Sequence, residues 1–564
     1  MQKRNALISV SQKDGIVEFA QRLAALDFNI IASGGTADLL NKNGVAVTPT
    51  AEVINKYAKN VLQKNGIEIT PEIENALGGA ILDHRVVTLS REIHGGILAR
   101  EKHLEELSKL MIPWIDLVCV DFYPLEKTIA KDGITVEEVV DQIDVGGPTM
   151  AHSTAKGSQE GRIIICDPSD REKVLDLLEK NPEYDLDKVT KNLLAAKADF
   201  VVSKYCFTAA KYRGIDIYDA LFGTKITEGK GENGPQSPSF FYDNGSNDPL
   251  SLARFSQIEG IALGHINRTD VDRLLQTLTH AVAYFDLNFG KVPYFSFGVK
   301  HGNPCGGAFS ENKSEAIKKM LEGDLQAIFG GFVITNFEIG KEEAETLLKH
   351  KMPEDAKRRK LDGVVASNFT SEAIEILKNK NGTLRLITNP CLANLTKENL
   401  DHSPLRIGVR GGYLKQKNYT YIPDLNKANP DLKIYGEISE TQKQDLLLAG
   451  AVCATSNSNT ITLTKNGMLI GNGVGQQSRV RAGRLAVFNA TDSGHDVANA
   501  VAWSDSFFPF PDGPEVLIKA GVKVIFSTSG SIKDQLTIDL CEKEKTTLLM
   551  LPDNLARAFF GHGQ

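Results

Sequence analysis

Lys300 and His301 stand side by side at the end of an apolar run, residues 294–300, and open the turn Gly302-Asn303-Pro304-Cys305-Gly306-Gly307. An imidazole exchanges protons near neutral pH and a neighbouring ammonium can hold developing negative charge, so the pair suits activation of a bound nucleophile. Most isolated histidines serve packing; the loop setting is what gives this one weight. Ser456-Asn457-Ser458-Asn459-Thr460 and residues 471–479 bring amides, hydroxyls and a guanidinium beside glycine turns. Such groups can bind a carboxamide or a phosphate, and they also make ordinary loops. Phe507-Phe508-Pro509-Phe510 can wall a flat aromatic ligand or pack a core.

The first third of the chain offers a different set. Ala32-Ser33-Gly34-Gly35-Thr36 lies between a strand-like and a helical run, where backbone N–H groups and two hydroxyls can grip a phosphate. A tight turn capped by Ser33 or Thr36 explains the segment equally well. Lys13 follows the first strand-like run and can supply counter-charge on the same sheet edge. Asp144, the glycines Gly146 and Gly147, and Lys156 at the end of the next helical run can form the acid/base and cation of a small polar site. A capped helix bearing a surface lysine is the plainer account. Tyr123, before Pro124, ends a buried-looking strand. Zinc deaminase chemistry is set aside, because Cys305 lacks a second cysteine three residues on and His103-Leu104-Glu105 lies far from it; no metal ligand set stands out.

The elements that must position these groups follow from periodicity. Strands are expected at 6–10, 28–32, 117–122 and 162–166, with helical spacing over 17–23, which gives a doubly wound α/β layer with a largely parallel sheet. Residues 51–80 read as an insertion with modest helical periodicity. A long helical pattern from 188 to 221 runs into the Gly/Pro-rich stretch 223–238, expected as an exposed linker. Beyond it, strands at 294–300, 327–335, 460–463 and 522–527 alternate with helices at 315–321 and 441–452, a second α/β domain without a sequence repeat that proves duplication.

Composition bounds the function. A chain of 564 residues exceeds what one core supports, and 41% hydrophobic with 24% charged residues is typical of a folded globular enzyme. A formal net charge of −7 provides no basic field, so neither nucleic acid nor an anionic membrane is an expected partner. No apolar run reaches the ~20 residues of a membrane span. The seven cysteines are scattered and odd in number, which reads as reduced thiols and a cytoplasmic setting.

These segments occur in one order along nearly the whole chain, and in that order the sequence resembles the bifunctional AICAR transformylase/IMP cyclohydrolase family. Residues 9–15, 32–36, His94-Gly95-Gly96-Ile97-Leu98-Ala99-Arg100 and 143–149 resemble its cyclohydrolase domain; residues 300–306, 465–467, 475–479, 504–510 and 529–531 resemble its transformylase domain. The resemblance implies a methylglyoxal-synthase-like domain over 1–200, a linker helix and loop over 201–238, and a duplicated, cytidine-deaminase-like domain over 239–564 working as a homodimer. It implies formyl transfer from 10-formyltetrahydrofolate, as co-substrate, to AICAR, then ring closure of FAICAR to IMP. His301 is then the base, with Lys300 and Asn459 orienting the formyl group and the amine. Phe507 and Asp512 line the folate and nucleotide sites, Asn267 contacts the nucleotide, and Arg557 binds substrate, five residues before His562 where the family's arginine and final histidine are four apart. In the cyclohydrolase domain Lys13, Ser33, Gly34, Gly35, Thr36, Arg85, Thr88, Gly146 and Gly147 bind substrate, while Tyr123, Asp144 and Lys156 take catalytic places.

Three departures matter. The pattern D-G-R-V-K-T-L-H-P reads Asp83-His84-Arg85-Val86-Val87-Thr88-Leu89-Ser90-Arg91, with Val87 where a lysine is expected. Asp121 replaces an asparagine and adds negative charge near the expected phosphate side. The opening R-Y-G-x-N-P-H-Q reads Gly229-Lys230-Gly231-Glu232-Asn233-Gly234-Pro235-Gln236, without Arg, Tyr or His. The expectation is a transformylase with an altered cyclohydrolase centre. The competing reading is a catalytically silent homologue that binds purine nucleotide as a partner or regulatory subunit; a methylglyoxal-synthase-like lyase would leave the second domain unexplained.

Overall fold

Two compact units, Met1–Leu221 and Phe222–Gln564, make up the chain. The computed structural model describes residues 4–77, 86–181, 183–215, 222–353, 356–403, 405–410 and 412–561.

In the first unit, strands β1 (Arg4–Ser9), β2 (Phe28–Ala32), β3 (Val47–Pro49), β4 (Leu117–Val120) and β5 (Ile163–Ile165) form a parallel sheet in the order β3-β2-β1-β4-β5. Both faces are buried. Ala6, Ile8, Leu117, Cys119, Ile163 and Ile165 belong to one core, and Leu7, Val118, Val120 and Ile164 to the other. Successive side chains of a strand point to opposite faces, so continuous apolar runs such as Ile163-Ile164-Ile165 suit a sheet covered by helices on both sides. The helix Ile16–Ala25 supplies one cover by burying Ile16, Phe19, Ala20 and Leu23, the three- and four-residue spacing of one helical face. The insertion contains two helices, Thr50–Lys64 and Pro71–Leu77.

The stretch 201–238, expected as a linker helix and loop, includes among its described residues the end of a helix and a strand. Its first part completes the 25-residue helix Lys188–Tyr212. Its last part belongs to an antiparallel hairpin of β6 (Thr224–Gly229) and β7 (Ser239–Asp243). Aromatic residues on β7 anchor that hairpin: Lys225 lies over the Phe240 ring at 3.5 Å and Arg268 over Phe241 at 4.3 Å. Glycine and proline content marks turns, but cannot register partners such as Arg268 that lie far along the chain.

The second unit is built on a twelve-stranded sheet that contains one topology twice. Strands β8 (Ser256–Glu259), β9 (Tyr294–Lys300), β10 (Asn303–Ser310), β11 (Phe332–Thr335), β12 (Gly363–Ala366) and β13 (Arg385–Thr388) lie in the order β10-β9-β11-β12-β13-β8. A small separate hairpin of β14 (Leu405–Val409) and β15 (Gly412–Gln416) intervenes. Strands β16 (Lys433–Tyr435), β17 (Ile461–Lys465), β18 (Met468–Gly473), β19 (Val501–Ser504), β20 (Val524–Ser529) and β21 (Thr547–Pro552) repeat the arrangement as β18-β17-β19-β20-β21-β16. The halves join where β10 pairs antiparallel with β18. On one face the helices His265–Phe289 and Glu440–Cys453 share a single core; on the other, each half has its own.

Candidate active site

The β9–β10 hairpin turns on two residues, and both lie at positive φ, His301 at 52° and Gly302 at 70°. A type I′ turn requires this, and it favours glycine in the second place while obliging a histidine to take an uncommon conformation in the first. The turn is fixed from the helix below, where Asp270 Oδ1 accepts the Gly302 N–H at 2.8 Å. Lys300 donates to the Phe329 carbonyl at 2.8 Å, and His301 is left exposed. The second half repeats the device: Asn466 and Gly467 have φ of 55° and 74°, Asp445 accepts both their N–H groups, and Lys465 donates to the Asp496 carbonyl at 2.9 Å. Asp270 and Asp445 are each the sixth residue of their helix. The fold therefore made this turn twice, and only one copy presents an imidazole.

Two cavities that share His265, Asp270 and His301 open at that turn. One, of about 410 Å³, is also bordered by Lys230, Asn267, Lys300 and Asp362. The other, of about 640 Å³, is bordered by Arg268, Asp272, Arg273 and Asn457. Asn267 caps its own helix, with Oδ1 accepting the Gly264 N–H at 3.1 Å, and its side chain stays at the cavity wall. Burial pushes the Asp270 carboxyl up, against its bond from Gly302 and the attraction of His301.

Burial likewise pushes the Asp272 carboxyl up to about 6, against the attraction of Arg273. A carboxyl raised on folding favours the protonated native state, so its stabilising contribution is complete below about pH 4 and is lost as pH rises through about 6. Asp272→Asn keeps an acceptor for the Gln276 amide and is expected to stabilise the protein by roughly 1–3 kcal/mol above that window. Thermal melts compared at about pH 5 and pH 8 check this; a gap that fails to widen with pH would contradict it.

Asn459 sits elsewhere on the same sheet end. Its amide donates to the Gln476 carbonyl at 2.8 Å, and the two residues exchange backbone hydrogen bonds of 3.1 and 3.2 Å. Beneath it Asp505 is fully buried and accepts from Ser458 Oγ at 2.6 Å, the Thr460 N–H at 2.9 Å and Arg479 at 3.1 Å. Burial pushes this carboxyl up, with Arg479 the main opposing influence. Phe507 is half-buried, and Arg557, bonded to Asp553, lies 6.0 Å from its ring. Asp512 is exposed at the start of the helix Asp512–Lys519. Asn303 Oδ1 accepts the Asn457 N–H at 3.2 Å and links the two regions. The structure thus brings Lys300, His301 and Asn267 together, and Phe507 with Arg557, but the cavities at His301 reach Asn457 and not Asn459 or Phe507.

In the first unit the candidate residues gather at the carboxyl ends of β1, β2 and β4, the usual ligand edge of an open parallel sheet. Lys13 donates to Thr36 Oγ1 at 2.6 Å, and Ser9 and Ser33 share a 2.6 Å hydroxyl bond. Burial is the main influence lowering the Lys13 ammonium. Gly34 and Gly35 open the helix Gly34–Lys42, with exposed backbone at its N-terminus. Asp144 accepts the Gly147 N–H at 2.8 Å, and burial pushes its carboxyl up. A Cβ at Gly147 would lie 2.8 Å from Asp144 Oδ2, and one at Gly146 would lie 2.9 Å from Thr88 Oγ1, so this cluster needs both glycines. Tyr123 is half exposed beside it.

Lys156 does not join Asp144. It lies ten residues beyond Gly146 in the helix Gly146–Gly157, a rise of about 15 Å, and it is exposed. An acid/base pair of the two within this cluster is therefore corrected by helix geometry. The charge of Asp121 is also less disruptive than expected: its partner is Arg171 at 2.8 Å, with both side chains nearly buried, and it accepts the Ser11 and Gln12 N–H groups. Val87 borders a cavity of about 900 Å³ together with Gly34, Lys56 and Lys59. Arg85 and His562 lie outside the described residues.

Sequence reasoning missed Asp270, Asp362, Arg268, Arg171 and Asp505. Asp270 alone carried a usable signal, a carboxylate one helical turn past Asn267; the others matter through partners distant in sequence.

Comparison with known proteins agrees with this layout. A family model described as the AICARFT/IMPCHase bienzyme matches residues 155–489, and one described as an MGS-like domain matches residues 15–149. The bifunctional purine biosynthesis protein PurH of Anoxybacillus flavithermus is 36% identical over 548 residues, 95% of this chain and 96% of its own. The chain belongs to the AICARFT/IMPCHase bienzyme family. The protein of the same name from Bacillus cytotoxicus is 34% identical, over 97% of this chain and 98% of its own, and that of Bacillus cereus 33%, over 96% and 97%. Membership of the AICARFT/IMPCHase family bears out the expected architecture, an MGS-like domain followed by a larger α/β domain, and makes the chain an enzyme rather than a silent nucleotide-binding homologue. Among the described residues no helix is long and apolar enough to cross a membrane, and no cluster of His, Cys, Asp and Glu is arranged to hold a metal.

Proposed function

We propose that this enzyme transfers the formyl group of 10-formyltetrahydrofolate to the 5-amino group of AICAR and closes the product, FAICAR, to IMP. The observation that carries the reading is the Lys300–His301 turn, which borders a cavity with Asn267 and Asp362. In the transfer the amine nitrogen attacks the formyl carbon, the amine proton passes to His301, and the folate nitrogen leaves with a proton. Lys300 faces the oxygen that gathers charge in between. Asn459, Phe507, Asp512 and Arg557 belong to the same reaction although they border none of the three cavities at His301. This favours a homodimer in which one protomer's Lys300–His301 turn meets the other's Asn459 region, in the cytoplasm.

Ring closure joins the carboxamide nitrogen to the formyl carbon and expels water. The Lys13, Ser33–Thr36 turn holds the phosphate, and Asp144, its carboxyl pushed up by burial, stands with Tyr123 and Thr88 at the reacting end; Lys156 serves only if another protomer delivers it. Because Val87 donates neither proton nor charge, ring closure is the slower activity. Purified protein mixed with AICAR and 10-formyltetrahydrofolate should accumulate FAICAR ahead of IMP, and absence of both products would refute the proposal. Val87→Lys is expected to speed IMP formation from FAICAR by roughly 10-fold or more. An unchanged rate would shift the missing charge to Lys56 or Lys59, which border the same cavity.

A further inference from the structure

We propose that Arg268 binds the phosphate of the nucleotide substrate in the cavity beside His301, taking the place of the arginine that the family pattern puts at position 229. The inference rests on the transformylase reading above and adds a residue outside it.

Position 229 can no longer serve. A Cβ on Gly229 would lie 2.7 Å from the Leu263 carbonyl oxygen and 2.9 Å from Gly264 Cα, so the backbone has closed over the space a side chain would use. Arg268 approaches the same cavity from the other wall. It lies one helical turn past Gly264, whose carbonyl accepts its N–H at 3.2 Å, and both Gly229 and Arg268 border the cavity that contains His301.

The guanidinium is built in and not yet neutralised. Its plane lies over Phe241 at 4.3 Å, one Nη donates to Thr227 Oγ1 at 2.8 Å, and both partners are uncharged. Among the described residues no carboxylate lies within ion-pair reach of it. Glu232, Asp270 and Asp272 border the cavity too, but Asp270 is engaged by the Gly302 N–H and Asp272 by the Gln276 amide. Burial also lowers the Arg268 pKa, the direction expected of a cation that lacks a counter-ion. A guanidinium held by a ring and a hydroxyl keeps several donors free in a planar fork, the geometry that suits a phosphate.

The test compares wild type with Arg268→Ala, Arg268→Gln and Arg268→Lys, using AICAR and its dephosphorylated riboside as alternative formyl acceptors. The expected result for Arg268→Ala is a KM for AICAR raised about 10- to 100-fold, kcat changed far less, an unchanged KM for the riboside, and partial recovery in Arg268→Lys. Inorganic phosphate should compete with AICAR in wild type and lose that effect in Arg268→Ala. Equal loss for nucleotide and riboside, or an unchanged KM for AICAR, overturns the inference. If Arg268→Ala melts before assay, the ratio between Arg268→Gln and Arg268→Lys decides in the same way. If wild type turns over neither acceptor, the transformylase reading fails, and calorimetric titration of AICAR into the same proteins still judges Arg268: affinity lost on substitution supports it, equal affinity or no binding sinks it.

Discussion

His301→Asn is expected to lower kcat for formyl transfer roughly 100- to 10,000-fold while leaving the fold and AICAR binding nearly intact. The substitution is drawn from the molecule itself, because the twin hairpin already carries Asn466 at the matching position with φ of 55°. Asparagine tolerates this conformation better than other non-glycine residues, so the turn, its bond to Asp270 and the orientation of Lys300 should persist. Alanine would add backbone strain of about 1 kcal/mol and confuse loss of a base with loss of a turn. Single-turnover measurement of FAICAR formation, with AICAR affinity measured in parallel, separates the two. A variant with ordinary kcat would remove His301 from the chemistry and leave it a turn residue.

Asp505→Ala is expected to cost about 3–5 kcal/mol, near the upper end for one substitution. Asp505 is fully buried and binds a hydroxyl, a backbone N–H and a guanidinium at once. Without it, Arg479 becomes a nearly buried cation with no counter-charge, and Ser458 and Thr460 lose their acceptor. Because these residues flank Asn459, loss of stability should come with loss of transfer activity. Asp505→Asn keeps an acceptor and should cost less. Thermal and denaturant unfolding check the order; an Asp505→Ala protein as stable as wild type would show the network to be incidental.

The sequence revealed much of this molecule where local rules decide. The strand Phe28–Ala32 and the strand Tyr294–Lys300 have the bounds expected from their apolar runs, and the helices expected at 315–321 and 441–452 lie within Lys313–Gly323 and Glu440–Cys453. The strand expected at 327–335 begins only at Phe332, since an apolar run does not mark where sheet pairing starts. The duplication that the resemblance implies left no visible sequence repeat, because the two halves share strand order and turn geometry, and many sequences satisfy the same burial pattern. The Lys300–Gly302 and Lys465–Gly467 turns reveal it through closely similar φ values and an Asp that accepts the glycine N–H in each, alongside the repeated strand order.

Residue type and spacing alone thus determined the α/β class, the two-unit plan, the strand-end position of Lys300 and His301, and the family. These depend on neighbours within a few residues or on the order of short motifs, which a chain carries before it folds. Only the tertiary structure decided which groups meet. Arg171 neutralises Asp121 across 50 residues, helix rise separates Lys156 from Asp144, and Arg268 enters the cavity that Gly229 has vacated. Ion pairing and cavity lining act over a few ångströms in space, whatever the separation along the chain, so folding had to bring those partners together before their chemistry could be read.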